Sequence, residues 1–144
     1  MIPPSLYKKT IGLLPIFCVD VVIRDRAGRY LLVKRKNQPL KGCYWVVGGR
    51  VHRGELAKVA AQRKMYQEVG LYVKRDQFRL VGYTEAVFKR NAFGTATGVH
   101  TVSVVYCTEI DGSEPIRLDA QSATWKFSDR LPKNFKIREF SMLS

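Results

Sequence analysis

The stretch that most constrains this chain is GGRVHRGELAKVAAQRKMYQEVG, Gly48 to Gly70. Two glycines lead toward Glu55–Val69, which lacks Gly and Pro and is rich in Ala, Lys, Gln and Leu, a helix composition. Leu56, Val59 and Ala60 recur at helical spacing, and Gly70 stands where a C-terminal cap belongs. Paired glycines before a helix let the backbone approach a ligand closely, and the first helical turn favours anions. Positions 64, 67 and 68 lie at i, i+3 and i+4 and share one helix face. Three carboxylates on such a face would hold hard divalent cations through oxygen ligands. Here the face carries Lys64, Gln67 and Glu68, one carboxylate with a lysine cation one turn away.

The flanking sequence is rich in strand signals. Ile16–Arg24 is a β-rich run, Asp25-Arg26-Ala27-Gly28 reads as a turn and Tyr30–Lys34 as a second strand, so the two form a hairpin. A polar loop with Pro39 and Gly42 precedes the short apolar segment Tyr44–Val47. Phe78–Phe88 and Val99–Ile110 read as long strands joined by KRNAFGTATG, Trp125–Phe127 as a further strand and Asn134–Met142 as a short helix. Strands surrounding one strong early helix imply a mixed α/β sandwich. The 144 residues suffice for one domain with its own core, so 1–144 is read as a single unit.

Cysteine usage and charge narrow the class. Cys18, Cys43 and Cys107 are odd in number and lack CxxC spacing, which favours thiols in a reducing compartment over a disulfide frame or zinc site. No N-terminal stretch reads as a secretion signal and none has the length of a membrane span, so the expected location is cytoplasmic, with no membrane partner. The formal net charge is +13, from 25 Lys and Arg spread along the chain. Such a field draws anions, whether nucleotides, phosphorylated sugars or nucleic acid. Nucleic acid is the secondary choice, because neither a basic tail nor an aromatic-basic RNA-binding motif is present.

Gly49, five residues, Glu55, seven residues, Arg63, then Glu68-Val69-Gly70-Leu71 resembles the signature of the Nudix hydrolases. The chain departs at Lys64 and Gln67, where that family usually has glutamates. One branch, the GDP-mannose mannosyl hydrolases, lacks carboxylates at the same two places. The chain looks like that branch in LPIFCVDVVI, LLVKRKNQP, YWVVGGRV and FGTATGVHTVSVV. The resemblance implies a Nudix-type α/β/α sandwich with a mixed β-sheet, a homodimer, and hydrolysis of a GDP-sugar at the anomeric carbon. Attack there expels a whole diphosphate, so a cation and arginines that absorb charge on the leaving group matter more than a metal-generated hydroxide.

The same resemblance assigns roles. Glu68 and the Gly48 carbonyl are matched to Mg²⁺ ligands, with Mn²⁺ equally suited to oxygen donors, and Gln121 to a third ligand. Arg35, Arg50 and Arg63 match arginines that contact the diphosphate or support the site, and Asp20 matches a substrate-site aspartate. An aspartate in an apolar strand independently calls for a partner, either an arginine or the substrate. For Arg63 two readings stand together: contact with substrate, or pairing with Glu55 to hold the loop against the helix. In LDAQSATW, Ser122 falls where the branch has its general-base histidine. Serine does not accept a proton near neutral pH, which leaves Asp119, Glu85 and His100 as replacement candidates. Two other readings remain: a Nudix pyrophosphohydrolase attacking phosphorus, and a catalytically silent Nudix domain that binds nucleotide or RNA.

Overall fold

The computed structural model describes residues 2–91, 93 and 98–140. In chain order its elements are α1 (Pro4–Ile11), β1 (Ile16–Arg24), β2 (Tyr30–Arg35), β3 (Tyr44–Trp45), β4 (Val47–Arg50), α2 (Ala57–Val69), β5 (Arg79–Phe88), β6 (Val99–Glu109), β7 (Ser122–Ser128) and β8 (Arg138–Glu139), with a short 3₁₀ turn at Arg75–Gln77. The strands form one mixed sheet ordered β3-β2-β1-β6-β5-β8, with β4 joined to β1 and β7 to β2. β1 and β6 run parallel from Ile16 opposite Thr101 to Arg24 opposite Glu109. The other pairings are antiparallel. No helix among the described residues is long and apolar enough to cross a membrane.

Alternation along β1 divides the molecule into layers. Val19, Val21 and Ile23 are fully buried and pack with Ala60, Ala61, Met65 and Val69 of α2. Each such aliphatic side chain contributes roughly 1.5–3 kcal/mol over leaving it in water. The opposite face buries Val22 against Leu32, Val46, Val105 and Phe135. Further along that face, Ile11 of α1 packs with Ile16 and Val99. The sheet therefore lies between two helices, the α/β/α arrangement expected from sequence.

Several elements differ from the sequence expectation, each for a local reason. Helix α2 starts at Ala57 and not Glu55. The Glu55 amide closes a turn on the His52 carbonyl, and Leu56 is extended at ψ 146° and 74% exposed. The buried stripe is thus Ala60, Ala61, Met65, Glu68 and Val69. The apolar segment at 44–47 divides into β3, which pairs with β2, and β4, which pairs with β1. No helix forms over the described part of Asn134–Met142. Phe135 is buried in the core, Arg138–Glu139 add to the edge of β5, and Phe140 stacks on Tyr83; Ser141 and Met142 lie outside the described residues. The second helix is instead α1. Its Pro4 is tolerated in the first turn, where the amide has no intrahelical partner anyway. The hairpin turn forms as expected. Gly28 has φ 79°, and the Asp25 carboxylate accepts from the Arg29 amide at 2.8 Å and Arg29 Nε at 2.9 Å.

Candidate active site

A cavity of about 190 Å³ opens on the face of β1 away from α2. Its walls include Tyr7, Asp20, Arg35, Trp45, Gly48 and Arg50. Strand pairing explains the assembly, because Asp20 stands opposite Gly48 and Cys18 opposite Arg50 in the β1–β4 ladder. Gly48 has no room for a side chain. A Cβ there would lie 2.5 Å from the Val19 carbonyl oxygen and 2.7 Å from Asp20 Oδ1.

Asp20 finds its partners in hydroxyls. Thr84 Oγ1 donates to Asp20 Oδ2 at 3.2 Å, and Ser103 also bonds to the carboxylate. Burial pushes the Asp20 carboxyl up to about 6, against the downward pull of those two bonds and the Arg35 charge. Thr84 and Ser103 stand opposite each other in the β5–β6 ladder, so their hydroxyls reach the same wall. Arg35 is steadied by Nε donating to the Pro39 carbonyl at 2.8 Å. Arg50 stacks its guanidinium 4.1 Å from the centre of the Tyr7 ring, a cation–π contact. Its Nη1 is buried and lacks a hydrogen-bond partner among the described residues. A buried guanidinium nitrogen left unsatisfied on a cavity wall is a donor waiting for an anion.

On the helix side, Glu68 is 4% exposed and accepts from the Gly48 amide at 2.9 Å. Burial raises its carboxyl to about 7; the Lys64 charge and the Gly48 bond pull down, while the Asp119 charge pushes further up. The Asp119 amide donates to the Glu68 carbonyl at 3.3 Å, which brings the loop before β7 alongside the end of α2. The carboxylate on this side is Glu68, with the Gly48 backbone beside it, oxygen donors of the kind one hard divalent cation takes, and among the described residues no group of three or more His, Cys, Asp or Glu is positioned to hold a metal.

Arg63 spends its donors on the protein. Nε reaches Glu55 Oε2 at 2.7 Å and Nη2 reaches Glu55 Oε1 at 2.9 Å. Nη2 also reaches the Arg50 carbonyl at 3.0 Å, and Nη1 the Gln67 side chain at 3.1 Å. Arg63 holds Glu55 down to about 2, and the pair ties the loop after β4 to the helix. Of the two readings given to Arg63, this geometry is that of the supporting one. The Gln121 side-chain oxygen accepts from Asn37 Nδ2, and its backbone carbonyl from the Lys36 amide.

The structure thus gathers Asp20, Arg35, Gly48 and Arg50 around one cavity, joins Glu68 to it through Gly48, and sets Arg63 and Gln121 off its wall. Asp119, Glu85 and His100 also lie off the wall, while Thr84, Thr101 and Ser103 line it. Tyr7, Thr84 and Ser103 are site residues that sequence reasoning missed. A signal existed for the last two, polar residues facing inward from otherwise apolar strands. Tyr7 had none, because α1 itself was not expected.

The NUDIX domain model matches residues 15–137. The chain is 33% identical over 130 residues to "ADP-ribose pyrophosphatase" of Methanocaldococcus jannaschii, covering 90% of this chain and 72% of that protein. Among solved structures it resembles a MutT NUDIX hydrolase from Burkholderia pseudomallei, with TM-score 0.69, 26% identity, and 85% and 91% of the two chains covered. It also shares its fold with a bifunctional NMN adenylyltransferase/ADP ribose pyrophosphatase from Francisella tularensis complexed with AMP and a Mn ion. That likeness has TM-score 0.65 and 19% identity, and covers 85% of this chain and 36% of the other. Signature, sandwich and a relative aligned along most of both lengths agree: the chain belongs to the Nudix hydrolase family.

Proposed function

We propose that this Nudix hydrolase cleaves a nucleoside-diphosphate sugar, with GDP-mannose the first substrate to test and GDP plus free mannose the expected products. The observation that carries the reading is Arg50, whose buried Nη1 lacks a hydrogen-bond partner among the described residues, on the wall of a cavity that also holds Arg35. Two guanidiniums suit the paired oxygens of a diphosphate. The ADP-ribose in the name of the Methanocaldococcus relative is itself a nucleoside-diphosphate sugar.

Nudix hydrolases generally use divalent metals such as Mg²⁺ or Mn²⁺. In this chain Glu68 and the Gly48 carbonyl would hold one ion, with Gln121 as the third expected ligand once its amide leaves Asn37. Bound there, the ion supplies positive charge to the diphosphate as it departs. Arg35 and Arg50 bind and orient that diphosphate. Asp20 accepts from a sugar hydroxyl beside Thr84 and Ser103. Of the three candidates for the missing histidine, Asp119 is the one placed next to Glu68, and its carboxylate takes the proton of the attacking water. The single carboxylate on the helix face favours attack at carbon, since hydroxide generation at phosphorus calls for clustered metals.

A second reading has its own support. The relative named ADP-ribose pyrophosphatase favours attack on phosphorus, with ADP-ribose giving AMP and ribose 5-phosphate. Incubation of GDP-mannose and, separately, ADP-ribose with Mg²⁺ in ¹⁸O-water separates the two. Unlabelled GDP released with free sugar supports carbon attack, and label in a phosphate product supports the pyrophosphohydrolase. No turnover with either, together with salt-sensitive RNA binding, would leave a silent binding domain. The homodimer expected from the resemblance is checked by light scattering in the same buffers.

A further inference from the structure

We propose that Lys64 is a tethered cation of this site, binding the diphosphate directly and standing in for any divalent ion beyond the one at Glu68. The proposal rests on the nucleoside-diphosphate reading above and adds to it a fixed, metal-independent binding charge.

The position of the side chain is the first argument. Lys64 extends from α2 across Gly49; a Cβ at Gly49 would lie 2.5 Å from Lys64 Cε and 3.1 Å from its Nζ. Gly49 lines the cavity through its backbone, between Gly48 and Arg50. The ammonium thus sits where strand β4 passes from the helix carboxylate to the cavity arginine. Its charge acts on Glu68 one helical turn away and on the Cys18 thiol in the cavity wall.

The second argument is what the ammonium does not do. Among the described residues the ion pairs within 4.0 Å are Arg26–Asp111, Arg29–Asp25 and Arg63–Glu55, and Lys64 belongs to none. No side-chain hydrogen bond to Lys64 joins those formed by its neighbours Arg63 and Glu68. Glu55, the other acidic group near this end of the helix, is already committed to Arg63. The ammonium is therefore positioned by packing on a glycine and left with donors to give. A half-buried cation packed on Gly49, the residue before Arg50 with its own unsatisfied nitrogen, attracts a multiply charged anion such as a diphosphate. Gly49 matters here because any larger residue would displace the lysine stem.

Two consequences separate this from a lysine that only offsets the Glu68 charge. The full-length protein binds GDP and ADP in EDTA, and Lys64→Met weakens that metal-free binding by about 10- to 100-fold in calorimetry, the range for a lost hydrogen bond to a charged group. Lys64→Arg, which keeps the charge, retains most of the affinity and guards against a folding artefact. Lys64→Glu raises the Mn²⁺ bound per chain from one to two, counted by electron paramagnetic resonance. Metal-free binding that is absent in the wild type or equal in Lys64→Met overturns the proposal, and so does an unchanged Mn²⁺ count in Lys64→Glu. Lys64-dependent binding without turnover of any nucleoside-diphosphate sugar would sink the hydrolase reading and leave this one standing. Turnover with binding indifferent to Lys64 would do the reverse.

Discussion

The amide of Gly48 donates to Oε2 of Glu68 across 2.9 Å, while Gly48 stands opposite Asp20 in the sheet. One glycine therefore separates a cavity carboxyl from a helix carboxyl. Burial raises both, Asp20 to about 6 and Glu68 to about 7. Among the described residues neither has a countercharge within ion-pair distance, so the site holds its acids in a state that a cation or a proton relieves.

Stability should follow pH accordingly. Asp20 and Glu68 bind protons more tightly in the fold than at their ordinary values of 3.8 and 4.5. Their contribution is fully present below those ordinary values and is lost as pH rises from there through about 6 and 7. Glu55 runs the other way: Arg63 holds it down to about 2, so its contribution is present above its ordinary 4.5 and lost as pH falls toward 2. Without metal, the melting temperature should peak near pH ~4 and decline toward pH ~7. Because a cation binds the ionised Glu68, Mg²⁺ should raise it more at the higher pH. Differential scanning calorimetry across that range decides; a flat or rising profile in EDTA contradicts the assignment.

Glu68→Gln should split activity from stability. The amide oxygen still accepts from Gly48, and a buried charge is gone, so melting at pH ~8 should match or exceed wild type. Hydrolysis should fall by about 10²- to 10³-fold if Glu68 anchors the ion that offsets leaving-group charge. Near-normal turnover in this variant would move the metal elsewhere.

Arg63 and Glu55 should behave as one unit. Both side chains are largely shielded, at 23% and 13% exposure, and share two hydrogen bonds. Arg63→Ala and Glu55→Ala should each cost roughly 2 kcal/mol, with a coupling energy of about 1 kcal/mol or more in a double-mutant cycle. Arg63→Lys should recover little, because the paired geometry needs a planar fork. Additive losses in urea melts would show that the bridge is incidental.

Arg50→Met offers the opposite trade. Losing the unsatisfied Nη1 offsets losing the cation–π contact with Tyr7, so stability should change by about 1 kcal/mol or less. Nucleotide-sugar affinity should weaken by about 10- to 100-fold, appearing chiefly in KM. An unchanged KM in this variant would mean that Nη1 faces no ligand.

Much of this was legible in the sequence because the signals were local and periodic. Gly70, with φ 73°, caps α2 where expected, and the β1–β2 hairpin follows its turn residues. Asp20 announced itself as a polar residue in an apolar run. The start of α2 was misread because Glu55 and Leu56 have helical propensity, yet Glu55 is drawn out of the helix by Arg63, a contact eight residues away. The C-terminal segment was misread because Phe135 and Phe140 follow tertiary partners, Trp45 and Tyr83, rather than local preference. Thr84 and Ser103 became site residues only once strand register put them beside Asp20.

Strand β1 alternates between two duties. Val19, Val21 and Ile23 anchor α2, while Cys18 and Asp20 between them look into the cavity. A substitution at 20 therefore meets the ligand and the hydroxyls of Thr84 and Ser103 before it meets α2, so the strand can be probed for what it admits separately from how it grips the helix.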